Sequence, residues 1–249
     1  MQCEECDLTF GIPDLPVSES DFNSYPWTIE WTKNFARHVS KAAHALGGKL
    51  KVAQRITEPI ASLLDIGCGN GAFLAAAERI GLYAEGIDID RDHTKFAIDQ
   101  GLKAFHCDIK DYTPARQFDF IHIKESFHLV TDTREFVQRV ASFMDHRTVL
   151  YIDSTHGDGL ASRYRKWKVK PPRYGQLYPP LHNRTFNRRS MRYVLENAGL
   201  RVVNIRSFNR GNAVYCPSSR RSMRQYIVNP FLDGFFLGGF IGCYAVKAH

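Results

Sequence analysis

The sequence predicts an α/β protein, a mostly parallel sheet with helices on both faces. Three observations predict it. From Ala61 to Ile152, short apolar runs alternate with helical patterns, which is the signature of βαβ units. The first of those runs passes straight into three closely spaced glycines, as a strand does where it turns into a helix. With 249 residues, 44% of them hydrophobic, the chain can bury a core without metal or disulfide staples.

Residues 1–60 read as an N-terminal extension and helical cap. Asp14-Leu-Pro and Tyr25-Pro-Trp punctuate loops. From Ile29 to Val52 the apolar positions Trp31, Phe35, Val39, Ala42, Ala43 and Leu46 recur at threes and fours, the period of an amphipathic helix. Gly47-Gly48 is its predicted stop. Residues 61–249 then form the main domain. Ala61 to Ile66 is the first strand, and Ala72 to Ile80 a helix ending at Gly81. Tyr83 to Ile89 is a strand, Asp92 to Gln100 a helix stopped by Gly101, and Leu102 to Cys107 a third strand. Phe118 to Ile123, a helix over Thr133 to Met144, and Thr148 to Ile152 continue the alternation. Residues 154–186 break it with glycines, prolines and basic residues, and a long aperiodic insert in a compact domain is usually a lid or binding segment. Asn187 caps a helix through Asn197, Gly199 ends it, and strands follow over Leu200 to Ile205 and Ile241 to Val246.

The formal charge of +7 is unevenly spread. Residues 1–158 hold 16 Lys and Arg against 24 Asp and Glu, whereas residues 159–249 hold 17 against 2. Such asymmetry points to an anionic partner for the C-terminal third. The six cysteines are scattered, which excludes a disulfide scaffold and fits a reducing compartment. The N-terminus has no basic flank leading into an apolar run, and the apolar stretch from Phe231 is cut by Asp233. The chain reads as soluble and cytoplasmic, with no membrane partner.

The sharpest feature is Leu63-Leu-Asp-Ile-Gly-Cys-Gly-Asn-Gly71. Gly67, Gly69 and Gly71 let the backbone turn tightly and approach a ligand, with amides at the helix start facing a polar group. Asp88 ends the next strand, where an acid can take both hydroxyls of a ribose. Asp108 ends the strand after that, placed to accept from the exocyclic amine of a base. Each Asp alone would be an ordinary turn residue; three successive strand ends offering one polar contact apiece suit an extended nucleoside. The glycine spacing is G-x-G-x-G rather than the dinucleotide pattern. Asp65 before it disfavours a pyrophosphate, but suits a ligand carrying an amine beside a carboxylate, as S-adenosylmethionine does.

Leu63 to Gly71, Gly86-Ile-Asp88, Cys107-Asp108 and Phe118 to Ile123 resemble the successive motifs of class I S-adenosylmethionine-dependent methyltransferases. Cys3-Glu-Glu-Cys-Asp-Leu-Thr-Phe10, Pro179-Pro-Leu-His-Asn-Arg-Thr-Phe186 and Ser190 to Leu200 resemble elements of a bacterial group that includes sugar C-methyltransferases. Two positions depart from that group. Only Cys3 and Cys6 stand where the group has two C-x-x-C pairs for zinc, and two thiolates do not complete a tetrahedral site. Leu181 stands where the group has an acid before its histidine.

The resemblance implies a Rossmann-like seven-stranded methyltransferase sheet, parallel except for an antiparallel final strand. It implies S-adenosylmethionine as cofactor, while the departure at Cys3 and Cys6 leaves no metal expected. Asp65, Gly67, Cys68 and Gly69 would cradle its methionine end; Asp88 would hold the ribose, with Ile89 against the adenine. Asp108 would meet the adenine amine and Ile109 pack on the ring, while Ile123, Lys124 and Glu125 would lie near the reacting centre. An oxygen or carbon acceptor also needs a proton removed, and a group with pKa near 7 is the natural agent. His182, matching the group's histidine, is the first candidate and Tyr178 the second. His128 and His156 read as surface or lid residues.

Arg163, Arg165, Lys166, Lys168, Lys170 and Arg173, interleaved with Tyr164, Trp167 and Tyr174, suit phosphate beside a sugar or base. A nucleotide-linked sugar or other phosphorylated small molecule is the expected acceptor. RNA is the alternative, as is a catalytically silent partner protein that keeps the nucleoside site.

Overall fold

The structure, a computed structural model, describes residues 1–10, 33–160, 184–208 and 238–248. Nine strands and five α-helices are described. In chain order they are β1 (Thr9–Phe10), α1 (Phe35–Ala53), β2 (Ser62–Ile66), α2 (Ala72–Arg79), β3 (Tyr83–Asp88), α3 (Arg91–Asp99) and β4 (Ala104–His106). Then come β5 (Phe120–Ile123), α4 (Thr133–Ser142), β6 (Val149–Thr155), β7 (Arg184–Thr185), α5 (Arg188–Glu196), β8 (Leu200–Phe208) and β9 (Phe240–Lys247), with a short 3-10 turn at Phe127–Leu129.

Seven strands form one sheet in the order β4-β3-β2-β5-β6-β9-β8. The five from β4 to β6 are mutually parallel, and β9 runs antiparallel to both β6 and β8. The expected architecture, including the antiparallel last strand, is therefore what the chain adopts. Strands buried on both faces read as near-continuous apolar runs. Every residue of β2 and β5 is buried. Side chains alternate between two cores. Leu64, Ile66, Ile121, Ile123 and Ile152 face α4 and α5. Leu63, Ala84, Phe120 and Tyr151 face α1 and α2.

Capping explains where the helices begin. Asp90 and Asp132 accept from the amides of His93 and Glu135, and Asn187 forms a reciprocal capping box with Ser190. The predicted stop at Gly47-Gly48 is a correction. α1 runs through both glycines to Ala53, because Leu46, Leu50 and Ala53 continue its buried stripe. Each interior glycine costs about 1 kcal/mol relative to alanine, which burial of Leu46 and Leu50 offsets at roughly 1.5–3 kcal/mol each.

A second departure lies at the N-terminus. The first ten residues turn back on themselves, and β1 pairs antiparallel with β7, inside the stretch expected to be an aperiodic insert. Arg189 bonds Asp7 at 3.1 Å and Tyr193 bonds Glu5 at 2.6 Å, docking this hairpin on α5. Cys6 is buried in the core and Cys3 half-buried, both as free thiols. Among the described residues no group of three or more His, Cys, Asp or Glu is placed to hold a metal, and no helix is long and apolar enough to cross a membrane.

The chain passes from β2 outward through β3 and β4, then returns to place β5 on the other side of β2. The strand order reverses there, and the carboxyl edge at such a switch point is where open α/β sheets bind ligands.

Candidate functional site at the carboxyl edge of the sheet

The loop from β2 into α2 is wound tightly upon itself. Gly67, Gly69 and Gly71 all have positive φ, at 79°, 52° and 77°. A Cβ on Gly67 would lie 2.0 Å from Ser126 Oγ, so only glycine lets the loop after β5 close over the loop after β2. At Gly69 the same test meets nothing within 4 Å, so the chain is open to a ligand there.

The sequence suggested that amides at the start of α2 face the ligand. The structure gives five amides of this turn partners within the chain. Gly67 and Cys68 both donate to Ile87 O, Gly71 donates to Cys68 O, and Ala72 donates to Asn70 Oδ1. Gly69 donates to Asp88 Oδ2 at 2.7 Å. These five donors are used inside the chain, which suits the departure of the turn from the dinucleotide spacing.

Asp88 accepts from Gly69 on one oxygen and from Asp90 N on the other, at 2.8 Å. Each carboxylate oxygen keeps a lone pair for a further donor. Burial pushes its carboxyl up, against the amides of Asp90 and Gly69. Ile89 beside it is an exposed apolar residue, 37% accessible. The loops after β3 and β4 are joined, since Cys107 N donates to Asp88 O and the His106 ring meets Ile89 O at 3.1 Å. Asp108 is exposed on that second loop, where its carboxylate accepts from Lys110 N at 2.9 Å.

Three residues expected to contact the ligand turn their side chains into the interior. Cys68 is buried against Gly86, where an added Cβ would come within 2.7 Å of it. Ile109 and Ile123 belong to the core shared with α4 and α5. Period-2 alternation explains Ile123: the strand sends its neighbour His122 to the opposite face.

That neighbour belongs to a group the sequence reading missed. Asp65 and His122 are register partners on β2 and β5, and Tyr151 on β6 is the next partner in the same row. His122 Nδ1 lies 2.7 Å from Asp65 Oδ1, and His122 Nε2 lies 2.6 Å from Lys49 Nζ, which α1 carries in. His122 is fully buried between Phe73 and Tyr151, with ring centroids 4.4 and 5.6 Å away. Lys49 sits 3.9 Å from the centroid of Tyr151, a cation–π contact. The signal for Lys49 was present in the sequence. It falls three residues after Leu46 and four before Ala53, on the buried stripe of its helix.

Burial pushes Asp65 up to about 8, with Lys49 and Lys124 opposing and Asp88 and Asp153 adding to the rise. Burial and the same two lysines hold His122 well below the usual histidine range, so its ring is neutral. Lys124 and Glu125 pair at 3.2 Å just past β5. Glu125 has φ 62° and its amide donates to Asp153 Oδ1 at 2.9 Å, and a non-glycine residue held there stores strain. Burial also raises Asp153. The edge thus gathers three carboxylates with raised pKa and two lysines.

His182 and Tyr178, the candidate bases, lie outside the described residues, as do Arg163 to Arg173. His128 and His156, expected as surface or lid residues, are buried; the His156 ring meets Gly238 O at 2.7 Å.

The profile of a family described as a methyltransferase domain matches residues 33–205. No curated protein matches the chain. Several solved structures share the fold. A SAM-dependent methyltransferase from Archaeoglobus fulgidus is 20% identical, with 82% of this chain and 94% of that one covered and a TM-score of 0.57. The plantazolicin methyltransferase BpumL, solved with SAH, is 18% identical, with 93% and 94% covered and a TM-score of 0.59. A putative methyltransferase in complex with the Haloferax volcanii activator Trm112 gives 16%, with 89% and 98% covered and a TM-score of 0.59.

Proposed function

The chain belongs to the methyltransferase-domain family and is an S-adenosylmethionine-dependent enzyme; from that premise we propose that it methylates an anionic small molecule. A nucleotide-linked sugar or another phosphorylated metabolite is the acceptor class. The observation that carries this is the charge asymmetry, 17 basic against 2 acidic residues over 159–249, since guanidinium and ammonium groups suit phosphate.

The residues present fit the cofactor. Gly69 leaves open space where a side chain would stand, Asp88 has lone pairs on both oxygens for ribose hydroxyls, and Ile89 offers an exposed apolar surface to adenine. Asp108 reaches the adenine amine from the adjoining loop, and Asp65 answers the ammonium of the methionine end. When bound, the cofactor supplies a methyl group on a sulfonium, ready for in-line displacement. The protein's part is to align the acceptor and exclude water. Lys124 and Glu125, joined to β6 through Asp153, border the reacting centre. His182 is the proposed base and Tyr178 its alternative.

Residues 1–60 act as a cap on the domain of 61–249, with 154–186 as the acceptor-side lid, in a cytoplasmic enzyme related to the sugar C-methyltransferase group. Cys3 and Cys6 are then a remnant of that group's zinc knuckle.

The test is transfer of a radiolabelled methyl group into fractionated metabolites and into RNA. Label is expected in the acidic small-molecule fraction. Label confined to RNA, with binding that weakens steeply as salt rises, would replace this acceptor with a nucleic acid. No S-adenosylhomocysteine formed with any fraction would favour a silent cofactor-binding partner instead.

A further inference from the structure

We propose that Lys49 and His122 are positioning residues for the amino-acid end of the cofactor, holding Asp65 so that one oxygen is tied inward and the other is presented to the ligand's ammonium. This rests on the reading that S-adenosylmethionine binds along this edge. The three residues come from α1, β5 and β2 and meet across the switch point.

The donor inventory fixes the direction of the chain of bonds. A lysine ammonium can only donate, so His122 Nε2 accepts from Lys49 Nζ at 2.6 Å. The neutral ring then carries its proton on Nδ1 and donates it to Asp65 Oδ1 at 2.7 Å. Asp65 Oδ1 is thereby always an acceptor. Any proton Asp65 holds is on Oδ2, which no described residue bonds.

His122 is fully buried and cannot touch an acceptor, so its part is played through Asp65. Lys49 is held over Tyr151 and Phe73, with its ammonium 3.9 and 5.1 Å from the two centroids. Its charge pulls the Asp65 carboxyl down against burial. The groups facing Asp65 are His122 and Lys124 from β5 and its following loop, Asp88 from β3, Asp153 and Tyr151 from β6, and Lys49 from α1. Without Lys49 the carboxyl would keep its proton to higher pH and offer a hydroxyl where the ligand needs an anion.

The test compares two ligands that share adenosine and a thioether. S-adenosylhomocysteine carries the ammonium; methylthioadenosine does not. Lys49→Met should weaken S-adenosylhomocysteine about tenfold in calorimetry and leave methylthioadenosine within about twofold. Between about pH 6 and 8, the rise of S-adenosylhomocysteine affinity should move to higher pH in the variant. His122→Asn keeps a donor toward Asp65 but cuts the link to Lys49. It should show the same selective loss, and the double variant should be no worse than Lys49→Met alone. Equal loss of both ligands, no loss of either, or additive losses would overturn the proposal. Should His122→Asn not fold, Lys49→Met decides alone. If the wild-type protein bound neither ligand, the cofactor assignment itself would fail, a separate result.

Discussion

Asp65 and Asp88 stand near the ends of adjacent strands, and burial raises both, yet they are held in opposite ways. Asp88 is gripped by the amides of Gly69 and Asp90, backbone donors that lie just past the ends of β2 and β3. Asp65 is gripped by an imidazole 57 residues away in sequence, itself backed by a lysine from a helix that precedes the sheet. The proposed ribose side of the edge is thus held by main-chain donors. The proposed methionine side is held by side chains on three elements.

The largest expected effect breaks the ribose side. Asp88→Ala removes the acceptor of two amides and of the proposed hydroxyls. Affinity for S-adenosylhomocysteine should fall about a hundredfold or more, since each hydrogen bond to a charged group is worth roughly 1.5–3 kcal/mol. Far-ultraviolet circular dichroism should remain native. Unchanged calorimetric affinity would remove Asp88 from the site.

A second break falls where the two sides meet. Gly67→Ala places a Cβ 2.0 Å from Ser126 Oγ at a φ of 79°. The left-handed conformation alone costs about 1–3 kcal/mol, so thermal unfolding should occur several degrees lower. Adding Ser126→Gly should recover the part due to the clash and leave the part due to φ. A single variant as stable as wild type would mean the two loops do not close on each other.

The smallest effect sharpens the methionine side through pH. An acid whose folded pKa exceeds its unfolded one carries an extra proton only when folded, so stability is lost as pH rises between the two values. For Asp65 that window runs from 3.8 to about 8. The melting temperature of the wild type, followed from about pH 5 to pH 8, should fall more steeply than that of Asp65→Asn, the curves parting steadily across that range. Parallel curves would show that Asp65 is ionised throughout.

Local signals in the sequence carry the proposed ribose side. Glycine spacing, a strand ending in Asp88 and an acid at 108 just past the next strand are all features of contiguous sequence, and the alternation from Ala61 to Ile152 announces a parallel sheet. On the methionine side the sequence offered Asp65 and the glycine turn after it, but not the partners of Asp65. Which residue of β5 faces it depends on register, and register comes from pairing rather than from any one segment. Cys68, Ile109 and Ile123 carried motif positions, but position does not say which way a side chain turns. Gly47-Gly48 misled for a related reason: propensity is a weak prior, and the buried stripe of α1 overrode it. The pairing of β1 with β7 joins two-residue strands far apart in sequence, which no local pattern announces.

The position of β9 has a consequence for how the molecule assembles. It is the last strand in the chain, yet it fills the gap between β6 and β8. Among the described strands, β8 has no neighbour to join, and β6 keeps an open flank, until residues 240–247 are made. The parallel half of the sheet can gather early, whereas its other border waits on a distant segment, a long-range closure that is slow by nature. A nascent chain halted before Phe240 would display two unsatisfied strand borders at once, the form of exposure that invites association with other chains.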